Sequence, residues 1–222
     1  MANTEWKTPP QLFDIINRAV GGFKVDAAAD QFNHLLPHWY GPGSPLAEDA
    51  LDPSLSWMSP AWCNPPYGKG ITKWLQAFDN QAEKGVSIIA LIPASVETEW
   101  WNAWVAKGLE LGICDVIFLV GRVEFLKPCN HCDRTGACGD FGPDSWNPNP
   151  CCQGGRCEVC DGVGYVQGGT PRFPSAIVFY GPTSRGKIGW LAWKESKGAQ
   201  TKISSEQDPP QVQETPKILG VE

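Results

Sequence analysis

The chain has 222 residues, of which 42% are hydrophobic and 19% charged, and a formal net charge of −6. With no internal repeat, these values exclude a fibrous or wholly disordered chain and predict one ordinary globular domain. Eleven Trp and nine Cys stand against two Met and three His, an imbalance that asks for a specific cause.

The longest apolar runs, Val86 to Ile92 and Val116 to Val120, fall far short of the roughly 20 residues that cross a bilayer, so no membrane association is expected. The opening residues Met1-Ala2-Asn3-Thr4-Glu5 show no basic stretch followed by an apolar one. A reducing, cytoplasmic compartment is therefore expected, with thiols rather than disulfides.

Thr8-Pro9-Pro10-Gln11 predicts a helix start, with Thr as N-cap, Pro at the first helical position and Gln at the third. An apolar stripe of Leu12, Phe13, Ile15, Ile16, Ala19 and Val20 runs to Gly21-Gly22, which ends it. Phe23 to Asp26 reads as a short strand ending on a carboxylate, and residues 31–59 are loop-rich with four prolines. Ala61-Trp62-Cys63 predicts a strand that runs into Asn64-Pro65-Pro66-Tyr67-Gly68, and a helix follows on Ile71, Trp74, Leu75, Phe78 and Ala82. Val86 to Ile92 is a buried strand stopped by Pro93, residues 97–107 are a helix carrying Trp100, Trp101 and Trp104, and Ile113 to Val120 is another buried strand. Phe173 to Tyr180 resumes the strand pattern after a Cys- and Gly-rich stretch. Strands separated by helices imply βαβ units around a mainly parallel sheet. The organisation expected is one α/β domain from 1–127 and 171–195, an insertion at 128–170, and a polar tail at 196–222 too poor in apolar residues to fold.

Asn64-Pro65-Pro66-Tyr67 carries the most chemistry, because it suggests methylation of a conjugated amino group. Such a nitrogen is a poor nucleophile, since its lone pair is delocalised. An Asn oxygen and a prolyl carbonyl held by two φ-locked prolines would give two fixed acceptors for its hydrogens. Tyr67 would offer a flat face to a base flipped out of a duplex. The plainer reading is a strand-ending turn.

Seven of the nine cysteines lie between Cys129 and Cys160. Cys129-x-x-Cys132 and Cys157-x-x-Cys160, with 24 residues between the pairs, supply four thiolates for a structural zinc. The stretch from Cys157 to Gly164 resembles the C-x-x-C-x-G-x-G repeats of J-domain co-chaperones, and its glycines would let backbone N–H groups turn toward sulfur. His131, Cys138, Cys151 and Cys152 are further possible ligands. The insertion reads either as a knob that stabilises a long loop or as a target-recognition element carrying Arg134, Arg156 and Arg172.

Taken together, Thr-Pro-Pro-x-Leu-Phe (8–13), Phe-Lys-Val-Asp-Ala-Ala-Ala-Asp (23–30), Asn-Pro-Pro-Tyr, Leu-Ile-Pro-Ala-Ser (91–95), Gly-Arg-Val-Glu-Phe (121–125) and Pro-Ser-Ala-Ile-Val-Phe (174–179) form an ordered set. In this order and spacing the chain resembles the phage-type, Dam-like DNA N6-adenine methyltransferases. The resemblance implies a Rossmann-like class I methyltransferase fold, S-adenosyl-L-methionine as cofactor and double-stranded DNA as partner. It implies Asn64, Pro65, Pro66 and Tyr67 as the catalytic motif. Cofactor contacts are implied for Trp6, Thr8, Pro9, Asp26, Ala27, Ala28 and Asp49. Ala27-Ala28-Ala29-Asp30 stands where many nucleotide-binding folds have G-x-G-x-x-G.

Arg122, with Arg134 and Arg156, is a candidate nucleic-acid contact; the other reading pairs Arg122 with Glu124. Trp74, Trp100, Trp101 and Trp104 are expected in the core, while Trp39 and Trp57 stay open. Rival activities are methylation of a protein glutamine amide or of an RNA base amino group, and a non-enzymatic zinc-containing nucleic-acid-binding module. Residues 1–121 hold 7 Lys/Arg against 13 Asp/Glu, and 122–194 hold 8 against 6. Non-specific DNA affinity is accordingly expected to be weak and strongly salt-dependent.

Overall fold

The computed structural model describes residues 6–129, 132, 157, 159–168, 171 and 173–194. The first apolar stripe forms helix α1 (Pro10–Ala19), which buries Leu12, Phe13 and Ile16. Gly21 and Gly22 take φ of 78° and 101°, and the Gly22 N–H returns to the Asn17 carbonyl at 2.9 Å, stopping the helix as expected. Its start differs from the expectation. Pro9 is the N-cap, Pro10 opens the helix, and no side chain caps it. Thr8 lies one residue too early to cap; its side chain is buried, and its hydroxyl finds no partner among the described residues.

Helix α2 (Ile71–Glu83) buries Ile71, Trp74, Leu75 and Phe78 of the sequence stripe, and its fifth member, Ala82, is partly buried. The helix expected over 97–107 instead holds a π-helical segment, Trp101–Ala106, that passes into α3 (Lys107–Glu110). Within it Trp101 stacks on Phe118 at 6.1 Å and meets Trp100 edge-on at 5.8 Å. Trp74 and Trp101 are buried, Trp100 and Trp104 pack against the core half-buried, and Trp57, left open by the sequence, is buried too.

The strands are β1 (Val25–Asp26), β2 (Ala61–Cys63), β3 (Ile88–Pro93), β4 (Cys114–Val120), β5 (Leu126–Pro128), β6 (Tyr165–Gln167), β7 (Ser175–Tyr180) and β8 (Ile188–Ala192). Six of them form one sheet in the order β1-β2-β3-β7-β4-β8, and β5 and β6 form a separate antiparallel hairpin. The pairs β1–β2, β2–β3 and β4–β8 are parallel, whereas β7 runs antiparallel to both β3 and β4. The expectation of a mainly parallel sheet thus fails at its centre. Among the described residues the chain leaves β4, makes the β5–β6 hairpin and enters β7 with no helix between them, and such a return gives an antiparallel pair rather than a crossover.

Helices cover both faces. Leu12, Phe13 and Ile16 of α1 join Trp62, Ile89, Leu91 and Ile177 in one apolar cluster; α2 and the π-helical segment join Ala61, Ile88, Ala90 and Val178 in the other. All six residues of β3 are buried, as expected for a strand covered on both sides. Parallel β1, β2 and β3 end at Asp26, Cys63 and Pro93, so Ala27–Ala29, Asn64–Tyr67 and Ala94 all leave the sheet at one edge. No helix among the described residues is long and apolar enough to cross a membrane.

Candidate functional site

Asn64 follows β2 directly, and two contacts fix its amide. Its Nδ2 donates to the Trp6 carbonyl at 3.3 Å, and its Oδ1 accepts the Tyr67 hydroxyl at 2.7 Å. A carbonyl can only accept, so the Trp6 contact decides which end of the amide is nitrogen. The Tyr67 hydroxyl also lies 3.2 Å from the Leu91 carbonyl on β3. An amide oxygen has two lone pairs, and Tyr67 occupies one, which leaves one for an incoming N–H. Pro65 is buried and Pro66 exposed.

The Tyr67 ring is half-buried between Phe125 and Phe173, each met edge-on, at 6.1 and 5.5 Å. Burial pushes its phenol well above the usual range, so Tyr67 stays a neutral donor. Trp6 stacks on Phe125 with centroids 5.6 Å apart, which brings the N-terminal segment against the Asn64 loop.

Beside this loop lies a cavity of about 260 Å³ lined by Ala28, Asp30, Tyr40, Asp49, Pro66 and Trp74, among others. Ala28, Asp49 and Pro66, expected at the site from sequence, thus meet on one concave surface. Asp49 is exposed, and its Oδ1 accepts the Leu51 N–H at 2.8 Å. Gly41 also lines the cavity at φ 134°, and a Cβ there would come within 2.0 Å of the Ala29 carbonyl. Only glycine lets the 41–43 turn close on the Ala-Ala-Ala turn. Ala27 is fully buried under it.

A larger cavity of about 680 Å³ is lined by Pro9, Pro10, Trp193 and Lys194. It contains no residue of the Asn64–Tyr67 turn, so the smaller cavity is the better candidate.

Asp26 does not line the cavity. It is buried and turns inward, accepting the Leu35 N–H at 3.0 Å, and desolvation pushes its carboxyl up to about 7. Lys7 supplies a nearby positive charge; burial lowers its pKa, while Asp26 and Asp30 act to raise it. Its Nζ sits 5.1 Å from the centre of the Tyr165 ring on β6. Sequence reasoning missed Lys7 and Asp30 as site residues. Asp30 closes the quoted Ala-Ala-Ala-Asp motif, a signal that could have found it, whereas Lys7 depends on a tyrosine 158 positions away.

The sulfur atoms of Cys129, Cys132, Cys157 and Cys160 all lie within 4.8 Å of one another and are buried. Cys129–Cys157 and Cys132–Cys160 are separated by 3.8 and 3.6 Å, too long for a disulfide. Zinc–sulfur bonds of about 2.3 Å in a tetrahedron place sulfurs about 3.8 Å apart, so this donor set fits zinc. The Gly164 N–H donates to the Cys160 sulfur at 3.3 Å, as the glycine spacing implied.

Arg122 donates to the Pro171 carbonyl at 3.1 Å and does not pair with Glu124, which instead takes Lys194 at 2.6 Å and Gln167 at 3.0 Å. Arg122 therefore ties together the two chain segments that flank the insertion. His131, Arg134, Cys138, Cys151, Cys152, Arg156, Arg172 and the expected tail at 196–222 lie outside the described residues.

Residues 2–137 match the family model described as DNA N-6-adenine-methyltransferase (Dam). This stretch contains the whole Asn64–Tyr67 turn, the small cavity and the first Cys pair, and it defines the chain as a transferase that acts on DNA. The chain belongs to the DNA N-6-adenine-methyltransferase (Dam) family. No curated protein and no solved structure matches it.

Proposed function

We propose that the chain transfers a methyl group from S-adenosyl-L-methionine to the N6 amino group of adenine at specific sites in double-stranded DNA, on a Rossmann-like class I methyltransferase fold. The observation that carries this reading is the Asn64 amide, fixed by Trp6 and Tyr67 with one oxygen lone pair to spare at the end of β2. The cofactor, when bound, supplies an electrophilic methyl group on a sulfonium.

The cavity of Ala28, Asp30 and Asp49 would hold it, over the buried Ala27 of the same turn. Fit is supported by the glycine-only closure at Gly41, which shapes the cavity wall against the Ala-Ala-Ala turn. Asn64 Oδ1 and the Pro65 carbonyl accept the two N6 hydrogens and turn the nitrogen lone pair out of conjugation. Pro66 stiffens the turn, and Tyr67 holds Asn64 while its ring faces the extruded base. The departing proton passes to water.

Cys129, Cys132, Cys157 and Cys160 hold a structural zinc that touches neither substrate nor cofactor, and Arg122, with Arg134 and Arg156, meets the DNA backbone. The test is incubation with methyl-labelled cofactor and DNA, RNA or protein, followed by hydrolysis and separation of the products. Label in N6-methyladenine from DNA is expected. Asn64→Ala should lower turnover about 100-fold with the fold intact, by analogy with loss of one fixed hydrogen-bonding group at a reacting centre. Near-normal turnover in that variant would remove Asn64 from the mechanism.

A further inference from the structure

We propose that the four-cysteine hairpin is a positioning element for the Asn64 amide, acting through the Trp6–Lys7 segment that it holds as an added strand. The Lys7 N–H donates to the Leu126 carbonyl at 2.9 Å, and the Leu126 N–H donates back to the Lys7 carbonyl at 3.0 Å. This reciprocal bridge makes the N-terminal segment a third, antiparallel neighbour of the β5–β6 hairpin.

At its other end the hairpin is closed by the sulfur cluster. Cys129 follows β5 directly, its N–H bonds to the Gly164 carbonyl at 2.9 Å, and Cys157 and Cys160 precede β6. The Lys7 ammonium lies over Tyr165 of β6, which adds a side-chain contact to the main-chain bridge. One residue before Lys7, the Trp6 carbonyl receives the Asn64 amide, and its ring lies on Phe125, the residue that leads into β5. The cluster, the hairpin, Trp6–Lys7 and Asn64 thus form one continuous set of short contacts.

A two-stranded hairpin this short is marginal alone in water. A metal across the four sulfurs supplies the order it lacks. Without metal the hairpin frays, the Lys7–Leu126 bridge opens, and the Trp6 carbonyl no longer holds the Asn64 amide in the orientation a substrate needs.

The activity arm of the test rests on the methyltransferase reading; the structural arm does not. Hydrogen exchange is measured on the full chain loaded with zinc and after removal of the metal by a chelator. Exchange at Lys7 and Leu126 should rise about tenfold while α2 and β3 keep their protection, as for a local opening. The single-turnover methylation rate, read at saturating DNA, should fall by a similar factor.

Leu126→Pro gives a second route. It deletes the N–H that bonds Lys7, and that N–H does not belong to the β5–β6 ladder. This variant should keep one zinc and protected α2 amides yet reproduce the loss of protection at Lys7 and the slower turnover. Unchanged exchange at Lys7 after metal removal overturns the proposal. So does simultaneous loss of protection throughout, which marks a general stabiliser, or loss of DNA specificity with Lys7 still protected, which marks a recognition element. If the loaded protein methylates no adenine while Lys7 exchange still follows the metal, the coupling stands and the reaction assignment falls.

Discussion

Asn64 and Tyr67 act as a unit, because the tyrosine hydroxyl is the only side-chain donor among the described residues that touches the amide oxygen. Tyr67→Phe keeps the ring between Phe125 and Phe173 but frees Oδ1. Losing one hydrogen bond of about 1.4 kcal/mol should lower kcat about tenfold and leave the KM for DNA nearly unchanged, read by steady-state kinetics. Asp26 makes a different prediction. Burial pushes its carboxyl up to about 7, above the ordinary carboxylate range, so between that range and 7 the folded chain keeps a proton that the unfolded chain has lost.

Stability from this group is therefore full at low pH and declines as pH rises toward 7, at up to about 1.4 kcal/mol per pH unit. Asp26→Asn should remove that slope from a plot of Tm against pH, whatever it does to the absolute Tm. A slope that survives in the variant would assign it to other groups. At this scale the Asn-Pro-Pro-Tyr turn was legible because its chemistry is local in sequence. Lys7 was not, because burial beside Asp26 and Tyr165 appears only once distant segments meet.

Among the elements, α1, α2 and the buried strands were readable from periodicity, since each hides one face or both. Three features were not. The cap of α1 shifted by one residue, because two consecutive prolines can each open a helix and the second did. The direction of β7 carries no sequence signature, for a strand buried on both faces reads as the same apolar run whichever way it points. Strand β8 was missed because Ile188 and Trp190 are exposed at 55% and 71%, so its pattern lacks the burial that marks a core strand.

The four cysteines are the reverse case, because ligand spacing is a local code and the sulfurs converge as the two C-x-x-C pairs predicted. The metal prediction belongs here: purified under reducing conditions without chelator, the chain should carry one zinc, released by a thiol-blocking reagent and detected with a colorimetric indicator. Cys157→Ser should lose most of it, since three thiolates and a hydroxyl bind zinc far more weakly.

At the scale of the whole molecule, both faces of the sheet are covered, and the candidate site sits where three parallel strands end together. That placement was only half legible: the sequence located the strand-end turns but not the antiparallel strand that joins the two parts of the sheet. β7 lies between β3 and β4 although 54 residues separate the end of β4 from its start. β1-β2-β3 on one side and β4-β8 on the other therefore share no hydrogen-bonded edge except through β7.

The order of synthesis and the order of assembly consequently conflict. As the chain emerges, β3 and β4 are complete long before the strand that joins them, and each must wait with an apolar edge open. Folding through such distant pairing is slow and exposes sticky intermediates. A chain stopped at residue 174 contains all of residues 2–137, the stretch that matches the family. It should nonetheless fail to fold cooperatively, seen as the absence of a sharp thermal transition. A cooperative transition in that fragment would show that β3 and β4 can close on each other without their keystone.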